Sequence, residues 1–193
     1  MARPQEFNRV LVLQQAMSIF WKYGYEKTSL AELLKITGLS KSSLYSSFGD
    51  KRQLFLEAFD LYRSQRIKDM QYLLNSENSK RNSITIFFRM IIQDASHTDF
   101  FNGCMSINQA VELAPYDQEV RSRILSDFHQ FEVILLDAIR KGQSEGSIKN
   151  IRSPEILAKI LFLAFPGLQI LVRSGQDVHL IEEMLNALLS NLD

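Results

Sequence analysis

The chain has 193 residues, 46% of them hydrophobic, which is enough to bury a real core and excludes a disordered chain. Formal charge is zero overall but unevenly spread: residues 1–68 hold 11 Lys/Arg against 6 Asp/Glu, and residues 69–193 hold 11 against 16. A net +5 followed by a net −5 suits a polyanionic partner at the amino-terminal end only. Cys104 is the single cysteine, which excludes an intramolecular disulfide and a multi-cysteine zinc site. With no signal peptide in view, a reducing, cytoplasmic setting is expected.

Helical periodicity dominates and strand-like alternation is scarce, so an all-α fold is expected. Val10, Leu13, Met17 and Phe20, with Ala16 beside them, form the apolar stripe of a first helix that Gly24 ends. Ser29 caps a second helix, Glu32 completes a capping box, Leu30, Leu33 and Leu34 face inward, and Gly38 closes it. Ser40 caps a third, short helix with Leu44 and Phe48 inward and Gly49 at its end. Asp50 caps a long helix over about residues 51–74, with Leu54, Phe55, Ala58, Leu61 and Tyr62 on one side. The polar run 75–83 reads as a loop.

Beyond it, "ITIFFRMIIQDA" is helical, and Asn102 caps a shorter helix that runs up to Pro115. A long helix follows, with Val120, Ile124, Phe128, Phe131, Leu135 and Ala138 recurring at three- and four-residue steps until Gly146. The last two helices span about residues 154–173 and 178–191. The apolar run 160–172 is interrupted by Pro166, Gly167 and Gln169, and is expected to be a buried helix too short to cross a bilayer. In the final helix Val178, Ile181, Leu185, Leu188 and Leu192 step by three and four, a seam suited to packing along another helix.

Two short helices joined by a glycine turn and preceded by a third make a helix-turn-helix, whose second helix enters the major groove of DNA. With Leu44 and Phe48 turned inward, the outer surface of that helix is Lys41, Ser42, Ser43, Tyr45, Ser46 and Ser47. Small hydroxyl side chains let the backbone approach base edges, while Tyr45 and Lys41 reach phosphates. Thr28 and Ser29 put hydroxyls and free amides at a helix start, where a phosphate oxygen is accommodated, and Lys51 opens the next helix. The plainer reading makes the serines caps and Tyr45 a ring at the core's edge.

The stretch "AMSIFWKYGYEKTSLAELLKITGLSKSSLYSSFGDKRQLFLEAF" resembles the amino-terminal domain of TetR/AcrR-type transcriptional repressors. The resemblance covers roughly residues 9–59 and lies in the combination of T-S-L, G-L-S-K, S-L-Y-S-S-F and D-K. It implies an all-helical homodimer that binds a palindromic operator in double-stranded DNA. A small-molecule inducer, or a modification, acting on the carboxy-terminal domain would release it. It gives the DNA-contact role to Thr28, Lys41, Ser42, Ser43, Tyr45 and Lys51, while Ser46 stands where many members carry histidine. The expected organisation is a DNA-binding domain over residues 1–50 and a larger helical dimerisation and ligand-sensing domain over 51–193.

In the second part Phe87, Phe88, Met90, Ile91, Phe100, Phe101, Met105, Phe128 and Phe131 supply an aromatic and methionine-rich interior. It is either a ligand pocket or a plain packed core. Two readings of Cys104 also stand. It follows "NG" at an expected helix start, where amides favour thiolate, and "NGCMSINQAVELAPYD" resembles a phrase from a subgroup of this family, some of whose members sense oxidants or electrophiles through a cysteine. A free cysteine is otherwise a small buried apolar residue, and no second cysteine is present to resolve a sulfenic acid. His97, His129 and His179 show no ligand spacing, so neither metal nor cofactor is expected. Without a Gly-rich phosphate loop, an H-E-x-x-H or a nucleophile in a recognisable setting, no enzyme is expected either. The rival function is an all-helical dimeric interaction module whose basic amino-terminal face meets an acidic protein.

Overall fold

The structure, a computed structural model, describes residues 7–76, 79–97 and 102–193, with the side chains of 93–97 outside that description. Those residues form α-helices and no strand, and the chain divides into two compact units, the first ending at Gln65 and the second starting at Arg66.

In the first unit α1 (Arg9–Tyr23) starts where Asn8 Oδ1 accepts the Leu11 N–H at 3.2 Å, and stops at Gly24, whose φ of 85° suits glycine. Its inward row is Val12, Ala16 and Phe20. Val10, expected in that row, is 56% exposed, because the buried positions step by four from Val12. The helices α2 (Leu30–Thr37) and α3 (Lys41–Phe48) follow, then α4 (Lys51–Ser76), started by the Asp50 carboxylate accepting the Gln53 N–H at 2.8 Å. The expected boundary at residue 50 and the division at Gln65 differ by the first turns of α4. Those turns bury Leu54, Phe55, Ala58, Phe59 and Tyr62, and Phe55 meets Phe20 edge-on at 5.2 Å while Tyr62 meets Trp21 at 5.1 Å. The start of α4 is thus the floor of the first unit's core.

The second unit comprises the end of α4, then α5 (Lys80–His97), α6 (Met105–Glu112), α7 (Gln118–Ser144), α8 (Pro154–Arg173), α9 (Val178–Leu189) and a closing 3-10 turn, Ser190–Leu192. Helices α7 and α8 pack along each other, α5 lies against α7, α8 and α9, and α6 lies on α7. The expected loop over 75–83 is shorter than the sequence suggests. The Ser79 carbonyl accepts the Ser83 N–H at 3.0 Å and its hydroxyl accepts the Asn82 N–H at 3.2 Å, so "SKRNS" is a capped helix start.

One further expectation changes, and two helices show in detail how theirs are met. Asn102 does not cap α6; Cys104 holds the cap position without a side-chain cap bond. Gly103, at φ 63°, turns the chain so that the Asn102 carbonyl instead accepts from Arg173 at 2.9 Å and Asn108 at 2.8 Å. The expected helix runs through Pro166 and Gly167 as α8, unbroken over 20 residues, and at that full length it is long and apolar enough by composition to cross a membrane, which the run 160–172 alone is not. Its row Leu157, Leu161, Phe165, Leu168 and Val172 is buried on both sides of the proline, and that packing outweighs the lost hydrogen bond. Finally, Ile181, Leu185 and Leu192 of the α9 seam are buried inside this chain, and Leu189, four residues after Leu185, is buried in place of Leu188.

Phe55 touches Phe20, Tyr25 and Phe59 through ring contacts of 5.0–5.6 Å, so Phe55→Ala is expected to cost the first unit about 3–5 kcal/mol. Urea unfolding followed by fluorescence checks it, since the single tryptophan, Trp21, lies in that unit.

Candidate nucleic-acid interface

Ser29 and Glu32 form a reciprocal box at the start of α2. The Ser29 hydroxyl accepts the Glu32 N–H at 3.2 Å, and Glu32 Oε2 accepts the Ser29 N–H at 2.8 Å and its hydroxyl at 2.7 Å. Gly38, left-handed at φ 66°, then turns the chain into α3, where the Ser40 hydroxyl accepts the Ser43 N–H at 3.1 Å. Leu44 and Phe48 are the buried residues of α3, and Lys41, Ser42, Tyr45 and Ser46 are exposed, with Ser43 and Ser47 half-buried.

The far end of α3 is held by a residue that sequence reasoning missed. Arg9 donates to the Ser47 carbonyl at 2.8 Å, its guanidinium lies 4.2 Å from the Phe48 ring centre, and it pairs with Glu57 at 2.6 Å. One cation thereby caps α3, covers its last core ring and ties it to α1 and α4. Arg9 is 38 and 48 residues from its two hydrogen-bonding partners, and no local pattern announces such a contact.

The serine hydroxyls bond within their own helix: Ser40 Oγ lies 3.0 Å from Ser42 Oγ and 2.8 Å from Ser43 Oγ, and Ser46 Oγ donates to the Ser43 carbonyl at 3.1 Å. These are exposed, neutral bonds of modest net worth, so they can be exchanged for bonds to a base edge or phosphate. The lysines rest on rings, Lys41 Nζ 5.9 Å from the Tyr45 ring centre and Lys51 Nζ 4.2 Å from that of Tyr25. Such stacking orients an ammonium without cancelling its charge. Tyr25 is the second missed residue; the "GY" of the amino-terminal pattern was its only signal.

Thr28 leaves the predicted set. It is fully buried and its hydroxyl donates to the Gly24 carbonyl at 2.6 Å, locking the turn between α1 and α2. Ser29 is exposed, but the anion at its amides is Glu32. The Ser29 backbone N–H, and secondarily its hydroxyl, hold the Glu32 carboxyl below the ordinary carboxylate range.

In the second unit Phe87, Phe88, Ile91, Met105 and Phe131 are buried, Phe128 is half-buried, and Phe101 lies outside the described residues, as does Phe100. Phe87 and Phe131 touch each other at 5.5 Å and both touch Phe165, at 6.1 and 4.6 Å, while Phe128 and Phe131 touch Phe162 at 5.6 and 6.1 Å. Phe162 and Phe165 were missed although both stand in the apolar run of α8. Cys104 is buried. An open cleft of about 340 Å³ lies elsewhere, lined by Arg89, Glu182, Leu185 and Asn186.

A two-turn helix pinned by two apolar residues, preceded by a glycine turn and presenting hydroxyls, a phenol and a lysine, defines a helix-turn-helix regulator that binds DNA. Residues 12–58 match the family model for bacterial regulatory proteins of the tetR family, and residues 83–188 match that for the tetracyclin repressor-like C-terminal domain. The chain belongs to the TetR family of transcriptional regulators. It is 29% identical over 195 residues to the uncharacterized HTH-type transcriptional regulator YezE of Bacillus subtilis, the match spanning all of both chains. It is 30% identical over 177 residues to the HTH-type transcriptional repressor ComR of Escherichia coli, across 91% of this chain and 84% of that one. Among solved structures, a cysteine mutant of the TetR family transcriptional regulator CifR, complexed with 26-bp operator DNA, matches all of both chains at TM-score 0.86 and 25% identity.

Glu32→Gln keeps both bonds of the box while removing a negative charge from the start of α2. It is expected to raise affinity for any duplex about two- to fivefold, with little change in helix content. Because folding depresses the Glu32 pKa, its stabilising contribution is complete above the ordinary carboxylate range and disappears as pH falls through the depressed value. The difference between wild type and variant should therefore persist across neutral pH in a fluorescence-anisotropy titration.

Proposed function

We propose that this protein is a ligand-responsive repressor that works as a homodimer on a palindromic operator in the bacterial cytoplasm. A small molecule, or modification of Cys104, acting on the second unit releases it. Residues 1–50, with Lys51 at the start of α4, read the DNA; the rest of residues 51–193 dimerise and sense. The observation that carries this reading is the outward face of α3: Lys41, Ser42, Tyr45 and Ser46 stand exposed over a buried Leu44 and Phe48. ComR, related over most of this chain, is named a repressor, and CifR is seen on operator DNA.

Support for a dimer comes from the outer sides of α8 and α9. Ile156, Leu163 and Ile170 recur every seven residues and are all more than half exposed, Gly167 between them has open space around it, and Leu180 and Met184 are exposed on α9. Such a stripe suits a second copy of the same helices, giving a four-helix bundle about a two-fold axis. A two-fold protein meets a palindrome whose half-sites lie about 34–36 Å apart. The sensing interior draws on Phe87, Phe88, Ile91, Met105, Phe128 and Phe131.

Tyr45→Phe and Lys51→Ala should weaken binding to all duplexes, with Lys51→Ala lowering the salt slope by about 1. Changes at Ser42 or Ser43 should shift base preference in a selection from random DNA. Equal losses on selected and random DNA from all four would overturn this division of labour. A shallow salt slope would favour the acidic-protein reading instead.

For Cys104, the sensor role predicts alkylation of the native protein and loss of electrophile-induced release in Cys104→Ser. A thiol that reacts only after unfolding, or a variant with an unchanged response, leaves small-molecule binding as the one route.

A further inference from the structure

We infer that α6 and α7 hold the inducer-recognition point, with Gln109 Oε1 as the acceptor for a small, mostly apolar ligand that carries an O–H or N–H donor. The inference rests on the ligand-responsive reading above and adds the chemistry of the ligand. Gln109 is fully buried, and its Nε2 donates to Glu112 Oε2 at 2.9 Å. Its Oε1, equally buried, has no hydrogen-bond partner, and among the described residues it is the one such side-chain atom. A buried acceptor left open is costly, and such atoms are rare in native proteins unless a water or ligand completes them.

The surroundings specify what would complete it. One turn earlier on α6, the buried Ser106 hydroxyl donates to Asp127 Oδ2 of α7 at 2.9 Å, so the neighbouring groups are carboxylates already receiving protein donors. What Gln109 lacks is a donor; another acceptor would be repelled by Glu112, the carboxylate its own Nε2 holds. Asp127 is buried one turn before Phe131, whose ring contacts run inward to Phe87 and Phe165 and outward through Phe162 to Phe128, both of the latter half-buried. An apolar body lodged among those rings, with its donor toward α6, satisfies both parts of the arrangement.

Toluene, benzyl alcohol and aniline share one ring, are all uncharged at neutral pH and differ in the donor, so they test the idea on the full-length wild-type protein by calorimetry and by release of bound operator. The alcohol or the amine should bind at least about tenfold more tightly than toluene, and Gln109→Met should reduce that preference to near unity while leaving ligand-free DNA binding intact. Equal binding of all three to the wild type overturns the proposal, whether or not the variant folds. So does an unaltered preference in Gln109→Met, which means that water alone completes Oε1, or no binding of alcohol or amine up to about 10 mM. A protein that binds its operator and is released by some other molecule independently of Gln109 refutes this site and leaves the regulator reading intact. One that binds no operator refutes the regulator reading itself.

Discussion

Eight residues of α3 cannot hold a helix in water, since nucleation is costly and two turns return few bonds. Its shape is therefore an imposed one. Leu44 and Phe48 fasten its underside, Ser40 caps the start, and Arg9 closes the end through the Ser47 carbonyl. With both ends and one side committed, the remaining side chains have no structural duty, and four small hydroxyl residues are tolerated where helix propensity alone would disfavour them. The polarity of that face is a result of how completely the rest of the helix is held.

Charge is divided along the same lines. Arg9 and Arg63 of the first unit are paired with Glu57 and Asp60 at 2.6 Å and belong to its framework. Lys41 and Lys51 stand instead over tyrosine rings. Arginine's planar fork suits the fixed, multi-partner job, and lysine's compact charge on a flexible stem suits a phosphate whose position varies along a duplex. Each of the two arginine pairs is neutral, so the +5 of residues 1–68, which already counts Glu32, is carried by the remaining nine cations against four anions.

What could be read in advance follows from range. Ser29, Gly38, Ser40, Gly49 and Asp50 mark helix ends because capping acts over three or four residues, and all of them stand at the ends expected. The inward pair Leu44 and Phe48 followed from periodicity. Thr28 did not, because a hydroxyl at a helix start serves a phosphate or the chain equally well, and the choice depends on where the Gly24 carbonyl lies. Arg9 and Tyr25 act across the fold and leave no periodic trace. Asn102 lost its cap to a turn at Gly103, a tertiary effect that local propensity does not contain, whereas the helix expected across Pro166 is present because the apolar row on both sides of it is buried.

The second unit poses a different problem, because a ligand shifts an equilibrium only by its difference in affinity between two states; a tenfold difference corresponds to about 1.4 kcal/mol. Rings in contact, such as Phe131 and Phe165 at 4.6 Å, attract an apolar molecule with little regard to small rearrangements of the helices around them. A directional bond to a single oxygen is more exacting, since it weakens steeply with angle and distance. Gln109 is carried by a helix of only eight residues that lies on α7, so a small shift of α6 alters the aim of Oε1 while leaving the apolar contacts nearly equal. Under the proposed reading, the contact that would discriminate between two states of this mainly apolar unit is therefore the polar one.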